Sequence, residues 1–98
     1  MSANVHEIKL PKPLSPEDRC ALVRQTADEL EWEIEERKAG EGVPKLKLSK
    51  GIFRRREIYF EPGETPDIIK LVCQNVGYDH IGNFKAHIGL NYSDYTKT

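Results

Sequence analysis

The chain has 98 residues, of which 38% are hydrophobic and 32% are charged, and its formal net charge at pH 7 is −1. This length suits one domain with a modest core, and the composition excludes a disordered chain. The near-zero net charge identifies no partner, because acids and bases are segregated along the chain.

Several sequence features that the chain lacks limit the cellular compartment in which we expect it. No apolar run approaches the ~20 residues that a membrane span requires. The segment MSANVHEIKLPKPLS lacks the basic start and apolar stretch of a signal peptide. Cys20 and Cys73 form no CxxC pair and fit free thiols in a reducing compartment. We therefore expect a soluble cytoplasmic protein with no membrane contact.

The first half of the chain predicts a short strand and then a long helix. Residues 5–10 form a brief candidate strand ended by prolines. Ser15 and Pro16 then mark a helix start, as cap and first helical residue. An apolar seam at helical spacing extends this helix to about Lys38, with Gly40 as its end. The seam consists of Cys20, Val23, Ala27, Leu30 and Ile34.

The second half predicts a hairpin, a helix and a final strand. Residues 45–49 alternate Lys and Leu, Lys50-Gly51 suggests a tight turn, and residues 52–60 form the return strand. Thr65 and Pro66 resemble another helix start, so residues 66–76 are predicted helical, with a strand as the open alternative. Residues 84–93 alternate apolar and polar side chains and predict a strand.

These elements give the order βαββαβ and an α+β class. The expected architecture is an antiparallel sheet with two helices on one face, similar to the ferredoxin-like fold. Residues 1–14 are interpreted as an N-terminal arm with a short strand, residues 15–93 as one domain and residues 94–98 as a flexible tail.

A basic hairpin is the first candidate functional feature. Six bases and no acid lie between Lys45 and Arg56. On an open sheet face, bases can contact phosphates and aromatic rings can stack on nucleic-acid bases. The segment Lys50-Gly51-Ile52-Phe53 resembles the start of the RNA-recognition-motif signature, and the following arginines depart from it. The candidate residues for nucleic acid or an acidic partner are Lys45, Lys47, Lys50, Phe53, Arg54, Arg55, Arg56, Tyr59, Lys85 and His87.

The acidic end of the predicted first helix is the second candidate. Six acids lie among residues 28–36, and helical geometry places Trp32 opposite the apolar seam, in their midst. A large ring on an exposed charged face is typical of a protein-binding hot spot. The candidate residues are Trp32, Asp28, Glu29, Glu35 and Glu36. Internal pairing of acids with the hairpin, or a loop covering Trp32, is the structural alternative.

No catalytic motif is recognisable, so we expect neither an enzyme nor a metal or other cofactor. Cys73, His80 and His87 match no common zinc spacing. Residues 68–79 loosely resemble the first helix and turn of an AraC-type DNA-binding domain, although the alternation that follows leaves little sequence for a recognition helix.

Two functions remain open from the sequence. The first is a regulatory or accessory protein, of adaptor or inhibitor type and including phage-encoded kinds, that docks onto a larger protein or nucleoprotein assembly. The second is binding of single-stranded nucleic acid on the open sheet. A pI near 6.3 favours the first. A homodimer is compatible with either function.

Overall fold

The computed structural model describes residues 4–37 and 44–95, which form five strands and two helices. The strands are β1 (Asn4–Lys9), β2 (Glu33–Arg37), β3 (Lys45–Lys50), β4 (Arg56–Phe60) and β5 (Ile68–Gln74), and the helices are α1 (Pro16–Glu29) and α2 (Tyr78–Tyr95). The strands form one antiparallel sheet in the order β1-β5-β4-β3-β2. The predicted α+β class is confirmed.

One face of the sheet, the inner face, packs against both helices. Period-two alternation directs Leu46, Leu48, Ile58, Leu71 and further apolar residues toward the helices, where they are buried in a single cluster. The helices also contact each other, since the Asn91 side-chain amide donates to Thr26 Oγ1 at 3.0 Å. The opposite face, here called the outer face, carries the remaining strand side chains.

Helix α1 begins as predicted and ends earlier than predicted. Ser15 accepts a hydrogen bond from the Asp18 amide and Pro16 is the first helical residue. The helix stops at Glu29 because Glu31 adopts a left-handed conformation (φ 62°), while the Trp32 amide donates back to the Ala27 carbonyl. This is a Schellman ending, at a position where glycine is usual. The predicted extension to Lys38 is wrong through residue 37, and Lys38 lies outside the described residues.

Residues 33–37 form the edge strand β2 instead of the last helical turns. Glu35 lies opposite Lys47 of β3, and Ile34 lies opposite the buried Leu48. Alternation of acidic and apolar side chains from Trp32 to Glu35 is the strand signal that the helical seam concealed.

The hairpin of β3 and β4 is present, and its connection is longer than predicted. Leu48 pairs with Ile58, and Lys50 with Arg56. Residues 51–55, here called the hairpin tip, replace the expected two-residue turn. Gly51 has φ 103°, and a Cβ there would lie 2.5 Å from the Arg54 carbonyl oxygen. Glycine is required at that position by both conformation and space.

The last two elements exchange their predicted types. The segment predicted as a helix over residues 66–76 contains strand β5, whose Ile69, Leu71 and Cys73 are buried at alternate positions. The segment predicted as a strand over residues 84–93 lies in helix α2. There Phe84 and Ile88 are buried, whereas Leu90, assigned to the same strand face, is exposed.

The observed order βαββββα therefore differs from the predicted βαββαβ order of a ferredoxin-like fold. Because residues 68–74 are a strand, the resemblance to a helix-turn-helix is also wrong. β1 pairs with β5 as an edge strand. α2 includes Asp94 and Tyr95, where the predicted tail begins, and residues 96–98 are not among those described.

Candidate functional site

Ion pairs cover much of the hairpin side of the outer face. The bases of this region contact acids from the neighbouring strands or the following loop, so strand pairing brings together charges that are separated in the sequence. The pairs are Lys47–Glu57 at 3.1 Å, Lys45–Glu61 at 3.4 Å and Arg55–Glu33 at 2.9 Å. The alternative of internal pairing with the acidic segment thus applies to Arg55, whose partner is Glu33. Lys45 and Lys47 are paired instead with acids that follow them in β4 and the next loop.

Arg55 belongs to this paired surface although it lies in the hairpin tip. Its guanidinium donates to Glu33 Oε2 and, at 3.0 Å, to Ser49 Oγ. Tyr59 is half-buried on the same face, opposite Lys47 and Val72. The outer face therefore holds one aromatic ring among paired charges, and its local charge is close to neutral.

Trp32 is buried, with 6% of its surface exposed, so its predicted place on an open helix face is wrong. The indole packs edge-to-face against Phe84 and His80 of α2, with ring centroids 6.3 and 6.4 Å apart. Lys50 Nζ lies 5.5 Å from the indole centroid and donates to the Leu30 carbonyl at 2.7 Å. Lys50 thus provides a hydrogen bond to a carbonyl at the C-terminal end of α1 and lies over the indole ring.

The predicted acidic cluster is divided among separate places. Asp28 and Glu29 are exposed on α1, where Glu29 Oε1 accepts from the Asn91 amide at 2.8 Å. Glu35 lies on the outer face and contacts Arg37 at 2.9 Å, whereas Glu36 faces the helices and pairs with Arg24. These four acids do not form one surface around Trp32.

The hairpin tip has a different character from the outer face. Ile52 and Phe53 are 91% and 98% exposed. Arg54 and Arg56, on either side of Arg55, form no ion pair or side-chain hydrogen bond within residues 4–37 and 44–95. The tip and the first residue of β4 therefore present the apolar side chains of Ile52 and Phe53 beside two guanidinium groups, those of Arg54 and Arg56, that no described acid neutralises.

A cleft of about 770 Å³ adjoins the hairpin tip. We call it the tip cleft; it lies where β1 and α2 begin, β4 starts and β5 ends. Its lining residues are Asn4, Arg54, Arg56, Asn75, Val76, Gly77, Tyr78, Asp79 and His80. Tyr78 is also highly exposed, which adds a second aromatic ring at this end of the molecule.

Two further predicted site residues lie away from the tip cleft. Lys85 and His87 are on α2 rather than on a sheet strand, and His87 Nδ1 is 3.1 Å from the Asn83 carbonyl oxygen. They do not join the bases of the hairpin on an open sheet. Sequence reasoning missed Ile52, Tyr78 and His80 as members of one surface, because only the fold brings the tip beside α2.

Both cysteines lie in the core. Cys20 and Cys73 are both buried, and burial raises the pKa of the Cys73 thiol to about 11, against a smaller lowering by Lys85. A thiol with this pKa is protonated at neutral pH. Within the described ranges no three His, Cys, Asp or Glu residues are grouped to hold a metal ion, and no helix there is long and apolar enough to cross a membrane.

Comparison of the chain with protein-family models, with curated proteins and with solved structures gave no match.

Proposed function

We propose that this protein is a non-catalytic accessory protein of adaptor or inhibitor type, which docks onto a larger protein or nucleoprotein assembly through its hairpin tip. The observation that carries the proposal is the near-complete exposure of Ile52 and Phe53 beside Arg54 and Arg56. Burying such side chains in a partner releases water from apolar surface, and arginine and aromatic residues are typical binding hot spots.

The sequence predicted docking through both the acidic Trp32-bearing helix and the basic hairpin, and the present proposal keeps only the hairpin. Trp32 contributes to the core, and Glu33 and Glu36 are occupied by Arg55 and Arg24. Only surface that is free before association can supply new contacts to a partner. The hairpin tip meets that requirement better than β2 does.

The absence of catalysis is part of the proposal and has its own support. Cys73 is buried and its thiol has a raised pKa, which disfavours a nucleophilic role. Arg54, Arg56 and Tyr78 around the tip cleft are suited to binding, since each guanidinium offers five N–H donors and the tyrosine ring offers contact area.

Binding of single-stranded nucleic acid is the second candidate, favoured by the exposed rings of Phe53 and Tyr78 next to Arg54. Rings of this kind can stack with bases while arginine contacts phosphate. The pairing of Lys45, Lys47 and Arg55 with acids reduces the electrostatic attraction available for a phosphate backbone. We therefore place this function second.

Photocrosslinking at two exposed apolar positions tests the docking surface. Benzoylphenylalanine is introduced in place of Phe53 at the tip or, as a matched control, in place of Leu90 on α2, and the full chain is irradiated inside host cells. We expect a discrete protein adduct from position 53 that is absent from position 90. Adding Arg54→Glu and Arg56→Glu to the position-53 protein should remove the adduct.

The same experiment separates the two functions when nuclease is added before adducts are identified by mass spectrometry. A protein adduct that persists after nuclease supports docking. Adducts consisting only of nucleotide would favour the second candidate, and equal labelling from positions 53 and 90 would contradict the docking proposal.

A further inference from the structure

The tip cleft brings together the guanidinium groups of Arg54 and Arg56, neither of which pairs with an acid among the described residues. Arg54 reaches it from the hairpin tip, Arg56 from the start of β4 and His80 from the first turn of α2. The two arginines are close in sequence, whereas His80 and Asn4 come from α2 and β1, and the sheet and helix hold all four residues around one volume. The cleft is therefore formed by the fold rather than by one flexible loop.

The surroundings help to position the arginines. A Cβ on Gly51 would be 3.4 Å from Arg56 Nη1, so the missing side chain leaves room for the guanidinium. Asn75, in a left-handed conformation (φ 58°), donates its side-chain amide to the Arg55 carbonyl at 3.5 Å and links the end of β5 to the tip. The imidazole of His80 packs edge-to-face against the buried Trp32 ring, which helps to fix its position.

The charge of the tip cleft favours an anionic group of limited charge. Two arginines and one carboxylate, that of Asp79, are among its lining residues. The planar guanidinium matches a carboxylate through paired hydrogen bonds. A long polyphosphate chain would need more cationic contacts than these two arginines provide.

The neighbouring apolar anchors narrow the partner further. Ile52 offers an aliphatic surface that is not a stacking platform for bases, whereas it suits the apolar side chains of a peptide. Phe53 directly precedes Arg54 and Ile52 precedes Phe53, so apolar and carboxylate side chains spaced along one segment can reach the tip and the cleft together. The two features fit a single extended ligand.

We infer that the tip cleft binds the carboxylates of an extended acidic segment of the partner protein, whose apolar side chains cover Ile52 and Phe53. This inference rests on the proposed docking function and specifies the chemistry of the docked segment. Arg54 and Arg56 pair with the carboxylates, and the apolar contacts fix the position of the segment.

Fluorescence polarisation with defined probes tests this chemistry on the full chain. The probes are a fluorescein-labelled peptide of alternating Glu and Leu, the same peptide with Gln in place of Glu, and labelled oligothymidylate. We expect the Glu peptide to bind most tightly. Arg54→Glu/Arg56→Glu should weaken its binding about tenfold or more, because charge-assisted hydrogen bonds are lost.

Lys9→Glu/Lys12→Glu is the matched control, since it changes the net charge equally. Lys9 ends β1 and Lys12 follows it, whereas Asn4 at the other end of β1 lines the tip cleft, and both lysines are exposed. This variant should retain most of the affinity. A circular dichroism spectrum for each variant establishes that the fold is intact.

Three results would overturn the inference: equal binding of the Glu and Gln peptides, equal weakening by the two double variants, or tighter binding of oligothymidylate that depends on Arg54 and Arg56. Failure of the Glu peptide to bind, together with a protein adduct at position 53, would refute the acidic-segment inference and leave the docking function standing. Loss of the adduct itself would refute docking.

Discussion

The body of the β3–β4 hairpin and its tip use the same residue types in opposite ways. In the body, Lys45 and Lys47 contact Glu61 and Glu57, and the apolar side chains lie beneath the helices. At the tip, Arg54 has no described acidic partner and Phe53 is almost completely exposed. One continuous basic stretch of sequence thus divides into a structural part and an open part.

This difference shows why a charge run cannot be assigned to binding from its composition. A base beside a complementary carboxylate on the next strand has part of its charge neutralised within the fold. A base that has no such carboxylate beside it, as at Arg54, retains its field for a partner. The candidate binding residues are therefore those that strand pairing leaves without an acid.

Substitution of two phenylalanines, one in the hairpin body and one at its tip, should give the largest difference in stability between these regions. Phe60→Ala should lower the free energy of unfolding by about 3–5 kcal/mol, because the ring is 1% exposed and its loss leaves a cavity. Phe53→Ala should change it by less than about 0.5 kcal/mol. Urea denaturation followed by circular dichroism measures both, and a large loss for Phe53→Ala would show that the tip is part of the core.

Trp32 lies next to the boundary between the core and the tip cleft. Trp32→Ala should cost about 3–5 kcal/mol of unfolding free energy, since the indole packs against Phe84 and His80. Trp32→Phe should cost less because it keeps a ring in the core. Urea denaturation measures the free energy of unfolding of both variants. Unchanged stability in Trp32→Ala would contradict the burial of the indole.

Gly51 tests whether the tip has a fixed conformation. Gly51→Ala should destabilise the protein by about 1 kcal/mol or more, because the added Cβ meets the Arg54 carbonyl and φ is positive. The variant should also weaken binding of the Glu peptide through displacement of Arg54 and Arg56. Gly63→Ala is a control with open space at the Cβ position, and equal effects of the two substitutions would refute the assigned role of Gly51.

The ion pairs of the outer face should give the smallest effect. A double-mutant cycle on Lys47 and Glu57, which are 27% and 20% exposed, should yield a coupling of about 0.5–1 kcal/mol. The more exposed Lys45–Glu61 pair should yield less. The cycles are measured by urea denaturation at low and high salt, and a coupling near zero for both pairs would show that these ion pairs do not stabilise the fold.

Local sequence signals succeeded where they were strong and unopposed. The Ser15-Pro16 start of α1 and the alternation of Lys and Leu in β3 were both recognised, because capping and period-two patterning depend on near neighbours. The end of α1 was missed, since Glu31 takes a conformation usual for glycine and the apolar seam continues past it.

The local sequence pattern did not decide whether the segments that form β5 and α2 are helical or extended. Residues 84–93 place apolar side chains at positions that fit a strand face, and also at Phe84, Ile88 and Tyr92, which fit a helical face. Packing against α1 selects the helix and leaves Leu90 exposed. The predicted site residues were divided in the same way: Phe53 and Arg54 lie at the tip and Arg56 at the start of β4, whereas Lys85 and His87 lie on α2, away from the tip cleft.

Sequence patterns alone were enough to predict the α+β class, the N-terminal start of α1, the β3–β4 hairpin and the location of its basic residues. Tertiary structure decided that Trp32 is core, that buried Arg19 holds the β4–β5 connection through the Gly63 and Thr65 carbonyls, and that the hairpin tip adjoins α2. Capping and alternation are governed by neighbours in the chain, whereas burial and charge neutralisation depend on residues that only folding brings together.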